Sequence, residues 1–316
     1  MRQAILSTLL AAACAFMPRL EAHGAQVAAS SQDADTAPVD AMAELRARAE
    51  SGDPSSMHRY AIACAKGHAG EASRAAATAW YRKAAEAGYP PSMVALGARM
   101  ARGDGVAKDE AAAAVWYRKA ADAGDAVGMF MLAGACARGA GVARDDAEAV
   151  RWYARAAAKN DARSLASLGT MHLLGRGTPA DPQKAVECYR KAAALGDARA
   201  MSNLGLLYLE GRGVQKDERV ATDWFGKAAA GGDEAALHKL AELHAAREGD
   251  AAQREALFWA MLAAERCTGR MQDDARSIRA SCEAKLSDDA RREVEARVRA
   301  WSPAGATPDI AAPDTN

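Results

Sequence analysis

The stretch AVWYRKAADAGD, residues 114–125, occurs with small changes as TAWYRKAAEAGY at 78–89. It returns as AVRWYARAAAKND (149–161), AVECYRKAAALGD (185–197) and ATDWFGKAAAGGD (221–233). The pairs Trp80-Tyr81, Trp116-Tyr117, Trp152-Tyr153 and Trp224-Phe225 fall on one 36-residue grid, with Cys188-Tyr189 in the remaining slot. A sixth copy, Trp259-Ala260, arrives one residue early. A catalytic motif needs to appear once. Self-similarity at a fixed period of this size marks stacked helix pairs, each unable to bury its apolar face alone.

Laid out at this period, the chain reads as six units: 53–88, 89–124, 125–160, 161–196, 197–232 and 233–267. Position 1 is Asp53, Tyr89, Asp125, Asp161, Asp197 and Asp233, and Asp there caps the start of a first helix, A. Positions 5 and 8 are Met, Leu or Tyr throughout and make an apolar stripe on helix A. Position 9 is always Ala or Gly, which lets a partner helix come close. A glycine-rich turn follows in the middle units: GDGV at 103–106, GAGV at 139–142, GRGT at 175–178 and GRGV at 211–214. No strand precedes these turns and no Gly-Lys-Ser/Thr follows, so they are reversals and not phosphate loops. Ser73, Asp109, Asp145, Asp181 and Asp217 then cap a second helix, B, which ends at Gly88, Gly124, Asn160, Gly196 and Gly232. On helix B, Ala84, Ala120, Ala156, Ala192 and Ala228 repeat at one position, with Ala263 one residue early. These alanines mark close backbone packing. The tryptophans Trp80, Trp116, Trp152, Trp224 and Trp259 are expected to fill wider gaps between units.

Composition agrees with an all-α chain. Half of the 316 residues are hydrophobic, but Ala carries much of that share and aromatics reach only 5%; Ala is the best helix former and is depleted in strands. Lys+Arg and Asp+Glu balance at 41 each, so global charge points to neither nucleic acid nor an acidic membrane. Residues 1–25 read as a secretory signal: Arg2, then the apolar run AILSTLLAAACAFM at 4–17, too short to span a bilayer, with cleavage near Ala25 or Ala29. An alternative is a lipid anchor through Cys14. Residues 26–39 read as a flexible leader and 40–52 as an N-terminal capping helix. Residues 268–301 read as a charged helical cap split near Ser287-Asp288, and 302–316 as a disordered tail. The expected location is outside the cytoplasm, the periplasm in a Gram-negative cell. No transmembrane segment is expected in the mature chain.

The series Leu96-Gly97-Gly103-Gly105-Val106-Asp109-Ala113-Trp116-Tyr117-Lys119-Ala120-Ala121-Gly124 resembles the Sel-1-like repeat family, relatives of the tetratricopeptide repeat. The resemblance covers about 53–267. Units one and six depart from it in their turns, KGHAG and AAREGDA. It implies a right-handed α-solenoid of stacked antiparallel helix pairs, with the A helices lining a concave surface. It further implies a non-enzymatic adaptor, since exported bacterial members typically hold signalling, envelope-assembly or secretion components. A peptidoglycan- or exopolysaccharide-binding envelope protein is the alternative, and a hydrolase a remote one.

If the concave positions match those of tetratricopeptide repeats, His58, Val94 and Phe130 share one of them, and Lys66, Arg102 and Arg138 another. The three cations then form a ladder with steps of roughly 10 Å, a docking strip for a carboxylate-rich segment. The plainer reading is a cation in each helix's last turn, favoured by the helix dipole. Phe130 is a candidate apolar anchor for a protein or peptide partner. His172 and His244 share a position two units apart, too far for one metal ion, so no metal or cofactor is expected. Cys188, in a tryptophan slot, is expected to be buried and inert. Cys267 and Cys282 are either a disulfide that pins the cap or two reduced cap cysteines. No catalytic constellation occurs: there is no G-x-S-x-G and no H-E-x-x-H.

Overall fold

The computed structural model describes residues 39–68 and 73–302, which hold fifteen α-helices and no strand. The expected signal 1–25, Cys14, almost all of the leader and the tail beyond 302 lie outside the described residues. So do residues 69–72 of the first turn. The helices are α1 (Val39–Glu50), α2 (Pro54–Lys66), α3 (Arg74–Glu86), α4 (Pro90–Arg102), α5 (Glu110–Asp122), α6 (Ala126–Arg138), α7 (Asp146–Ala157) and α8 (Ala162–Leu174). They continue with α9 (Pro182–Ala194), α10 (Ala198–Glu210), α11 (Glu218–Ala230), α12 (Glu234–Ala245), α13 (Asp250–Arg266), α14 (Arg270–Glu283) and α15 (Asp288–Ala300). This is an all-α repeat fold in two compact units. The first comprises residues up to Ser92 with Asp104–Ala107; the second comprises Met93–Gly103 and the chain from Lys108 onward.

In the first unit α1 packs on α2, and α2 on α3. In the second, each helix from α5 to α13 packs on the next in the chain, and α15 returns onto α13. The capping rule written in the sequence operates at almost every start. The carboxylate of Asp125 accepts the Gly128 N–H at 2.6 Å, that of Asp161 the Ser164 N–H at 2.8 Å, and that of Asp197 the Ala200 N–H at 2.7 Å. On helix B, Asp109 and Asp145 do the same for Ala112 and Glu148 at 2.8 and 2.7 Å. Each cap satisfies a donor that the helix itself cannot, and its loss costs about 1 kcal/mol. At helix B ends the chain turns through positive φ at Gly88, Gly124, Gly196 and Gly232, and at Asn160, where φ is 60°.

The junctions are alanine packed against backbone: Ala84, Ala120, Ala156, Ala192, Ala228 and Ala263 have no exposed surface. The tryptophans are placed differently from the expectation. The second aromatic of each pair enters the core: Tyr81, Tyr117, Tyr153, Tyr189 and Phe225 are all buried. Trp152 is also buried, but Trp80, Trp116, Trp224 and Trp259 are only half-buried. On the same helix face, three residues on, a cation covers four of the five rings. Lys83 and Lys119 stand 4.1 Å from the Trp80 and Trp116 rings, and Arg155 and Lys227 stand 4.7 Å from those of Trp152 and Trp224. An indole with one face packed and the other under a cation keeps its contact with water at the rim.

The glycines of position 9 sit under the buried aromatic of their own unit. A Cβ on Gly97, Gly169 or Gly205 would lie 2.7, 2.9 or 2.8 Å from the ring of Tyr117, Tyr189 or Phe225. The second glycine of each G-x-G turn has another role. A Cβ on Gly105, Gly141, Gly177 or Gly213 would lie 2.3, 1.9, 2.1 or 2.5 Å from a backbone oxygen, that of Arg74, Glu110, Asp146 or Pro182. Those four are the first residues of the preceding unit's helix B. The turn is therefore a seat for the neighbouring repeat as well as a reversal.

Unit six keeps the helix pair without the glycine turn. The N-terminus of α13 follows Gly249 with no side-chain cap, and Gln253 Nε2 instead donates to the Arg247 carbonyl at 3.0 Å. Arg247 in turn donates to Glu218 Oε1 at 2.8 Å, reaching the start of the preceding helix B by charge. Arg176 does the same to Asp146 at 2.6 Å. Cys267 and Cys282 are both buried, and no disulfide joins them. Cys267 ends α13 with its thiol turned to the Glu234 carbonyl at 3.2 Å, a direction set by α12 and not by the cap helix.

Candidate functional site

The expected site residues lie on the A helices. In the first unit Lys66 is exposed in the last turn of α2, and His58 sits half-buried two turns earlier. His58 Nδ1 shares a hydrogen bond with Ser92 Oγ at 2.8 Å. Its ring meets Tyr81 and Tyr89 edge-on, with centroids 5.3 and 5.4 Å away. It is thus a packing histidine and not a free docking group. Burial pushes its pKa down from 6.5 to about 4. The unfolded chain therefore binds a proton there at pH values where the folded chain does not. Stability is expected to fall as pH drops from 6.5 through 4, by about 3 kcal/mol once His58 is charged in both states. Urea unfolding across this range should show that slope in the wild type and a shallower one in His58→Gln.

In the second unit, Val94 is half-buried and Phe130 is 7% exposed. The Phe130 ring packs on Tyr153 at 5.8 Å and carries the Arg163 guanidinium 4.8 Å above its centroid. Phe130 is consequently part of the core and already covered, which removes it as an apolar anchor. Arg163 is itself tied to Asp161 at 2.8 Å. The sequence carries no sign of this cover, because the contact joins residues from adjacent repeats.

Arg102 and Arg138 are exposed at the ends of α4 and α6. Both charges act on the phenol of buried Tyr117, whose pKa burial raises to about 12 and the two guanidinium groups draw back down. Arg138 folds over Gly134, its Nη1 only 3.1 Å from where a Cβ would stand. Among the described residues neither arginine has a carboxylate partner. Their neighbours do: Arg118 pairs with Glu148 at 2.7 Å and Arg144 with Asp146 at 2.8 Å. The two guanidinium groups are suited to carboxylates. Among the described residues no group of three or more His, Cys, Asp or Glu could hold a metal ion. No helix there is long and apolar enough to cross a membrane.

The comparisons agree with this architecture. The Sel1 repeat model matches five times, at residues 54–89, 90–125, 126–161, 162–197 and 198–233. The matches end before the sixth pair, where the glycine turn is missing. A Sel1 repeat protein of known structure from Oxalobacter formigenes is 34% identical, with 68% of this chain and 88% of that chain covered and a TM-score of 0.63. A protective antigen present in uropathogenic Escherichia coli strains, displaying an SLR fold, is 23% identical, with 87% and 84% covered and a TM-score of 0.46. The comparison with curated proteins found no match. The chain therefore belongs to the Sel1 repeat family, whose members generally act as non-enzymatic scaffolds for protein–protein interaction.

Proposed function

We propose that the chain is an adaptor of the cell envelope that holds an acidic protein segment or C-terminus on the helix-A side of its second and third repeats. The carrying observation is the pair Arg102 and Arg138: both exposed, both acting on Tyr117, neither neutralised by a carboxylate of the described residues. Two charge-assisted hydrogen-bonding groups held on rigid helices give a peptide carboxylate a fixed target. Placement in the envelope rests on the signal-like residues 1–25.

The test is in-cell cross-linking and capture with the wild type beside Arg102→Glu/Arg138→Glu, with circular dichroism to check that both fold. The expected result is a partner captured by the wild type, lost in the variant, and cross-linked through an acidic segment. Equal capture by both would reject the arginine pair as the docking group. Fractionation of the cells should place the protein outside the cytoplasm, and a cytoplasmic location would reject the envelope assignment.

A further inference from the structure

The fourth repeat lacks the tryptophan that the other five carry, and the space it would fill is open. In the first, second, third and fifth repeats a cation three residues on covers the ring: Lys83, Lys119, Arg155 and Lys227. In the fourth repeat Cys188 replaces the tryptophan, while Lys191 keeps the cation's place. A hollow of about 580 Å³ opens beside them, lined by Ala157, Leu165, Leu168, Cys188, Lys191 and Leu195 among others.

Two further observations tie this hollow to the missing ring. In the fifth repeat Trp224 packs against the cluster that includes Ala193 and Leu204, with Met201 beside it. Those residues occupy the same repeat positions as Ala157, Leu168 and Leu165 in the wall of the hollow. Leu168 also stands apart from its counterparts. Leu96, Leu132 and Leu204 have no exposed surface and Leu240 has 1%, but Leu168 is half-buried. At the rim, Leu195 is 49% exposed at a position that is Ala87, Ala123, Lys159 or Gly231 in other repeats. The site thus has an apolar floor, an added apolar rim and a cation with no ring beneath it.

We propose that the hollow receives a tryptophan side chain from a partner polypeptide, with Lys191 over the ring and Leu168 and Leu195 against it. The fifth repeat supplies the template: there the matching wall and Lys227 hold the Trp224 indole. Glu187 also faces the hollow, and in the third repeat the Trp152 indole N–H donates to a glutamate, Glu148, at 3.2 Å. An acceptor at the rim favours indole over a phenyl ring. The six tryptophans of the chain all have places of their own, five on B helices and Trp301 under Arg266. The guest therefore comes from another molecule. This surface is separate from the Arg102 and Arg138 pair, and its test does not depend on that reading.

Cys188 serves as the reporter, being half-buried where Cys64, Cys136, Cys267 and Cys282 are buried. The folded full chain is alkylated with iodoacetamide, with and without N-acetyl-tryptophanamide, and modification of the Cys188 peptide is followed by mass spectrometry. Alkylation is expected to slow in proportion to probe occupancy, and far less with N-acetyl-leucinamide. Lys191→Ala is expected to weaken the probe by about two- to fivefold, the scale of an exposed cation–π contact. Cys188→Trp should fill the hollow from within, raise the thermal midpoint and abolish probe-induced shifts of the Leu168 and Leu195 methyl resonances. An unchanged alkylation rate at millimolar probe would overturn the proposal. So would equal protection by the leucine analogue.

Discussion

Gly141→Ala is expected to destabilise the chain by about 3–5 kcal/mol, and Gly124→Ala by only about 1–2 kcal/mol. The two glycines have comparable left-handed backbones, with φ of 71° and 86°. An L side chain at either pays the same conformational cost. They differ in what surrounds them. A Cβ on Gly124 would meet nothing within 4 Å, while one on Gly141 would stand 1.9 Å from the Glu110 carbonyl oxygen. That oxygen belongs to the backbone at the start of α5, so no rotamer change relieves the overlap. The third repeat would have to lift from the second. Urea midpoints of the two variants measure the difference directly. Hydrogen exchange should localise the loss to α5, α6 and α7, since in a repeat array each unit contacts only its neighbours. Equal losses in the two variants would show that the turn glycine is needed only for its backbone angle.

Phe225→Ala is expected to cost about 3–5 kcal/mol, the range for emptying a buried aromatic site. Phe225 is 1% exposed and fills the space above Gly205. Its removal should also reverse the sign of a second substitution. In the wild type, Gly205→Ala places a methyl 2.8 Å from the Phe225 ring. That overlap costs about 1–3 kcal/mol, against about 1 kcal/mol gained from helix propensity. In the Phe225→Ala background the overlap is gone and the propensity gain remains, so Gly205→Ala should stabilise. A double-mutant cycle read by chemical denaturation gives the coupling. Additive losses would mean that the small residue and the ring do not recognise each other.

This pairing shows how far the repeat pattern could be read. The constant small residue at position 9 and the constant aromatic on helix B both stand out at the 36-residue period. The sequence says that each is restricted, and it identifies the helix starts through Asp and Ser and the helix ends through Gly and Asn. What it does not say is which restricted position touches which. The expectation assigned the whole Trp-Tyr pair to packing, yet only the second ring goes to the core, apart from Trp152. The clue was the Lys or Arg three residues after Trp80, Trp116, Trp152 and Trp224, which is helical spacing for a cation over a ring. For Phe130 there was no such local clue, because its cover, Arg163, comes from the next repeat.

By itself, the sequence determined the helix pairs, their order, their caps and the family, because these depend on contacts within about four residues and on a period repeated often enough to read. The tertiary structure decided which side chains remain available. It buried Phe130, packed His58 between Tyr81 and Tyr89, left Arg102 and Arg138 without carboxylate partners among the described residues, turned Cys267 away from a bridge, and made the G-x-G glycines seats for the preceding helix. It also left a hollow where Cys188 stands in place of a tryptophan. Availability depends on what adjacent repeats place across each junction, and those partners lie some 31 to 34 residues away, beyond the reach of any local pattern.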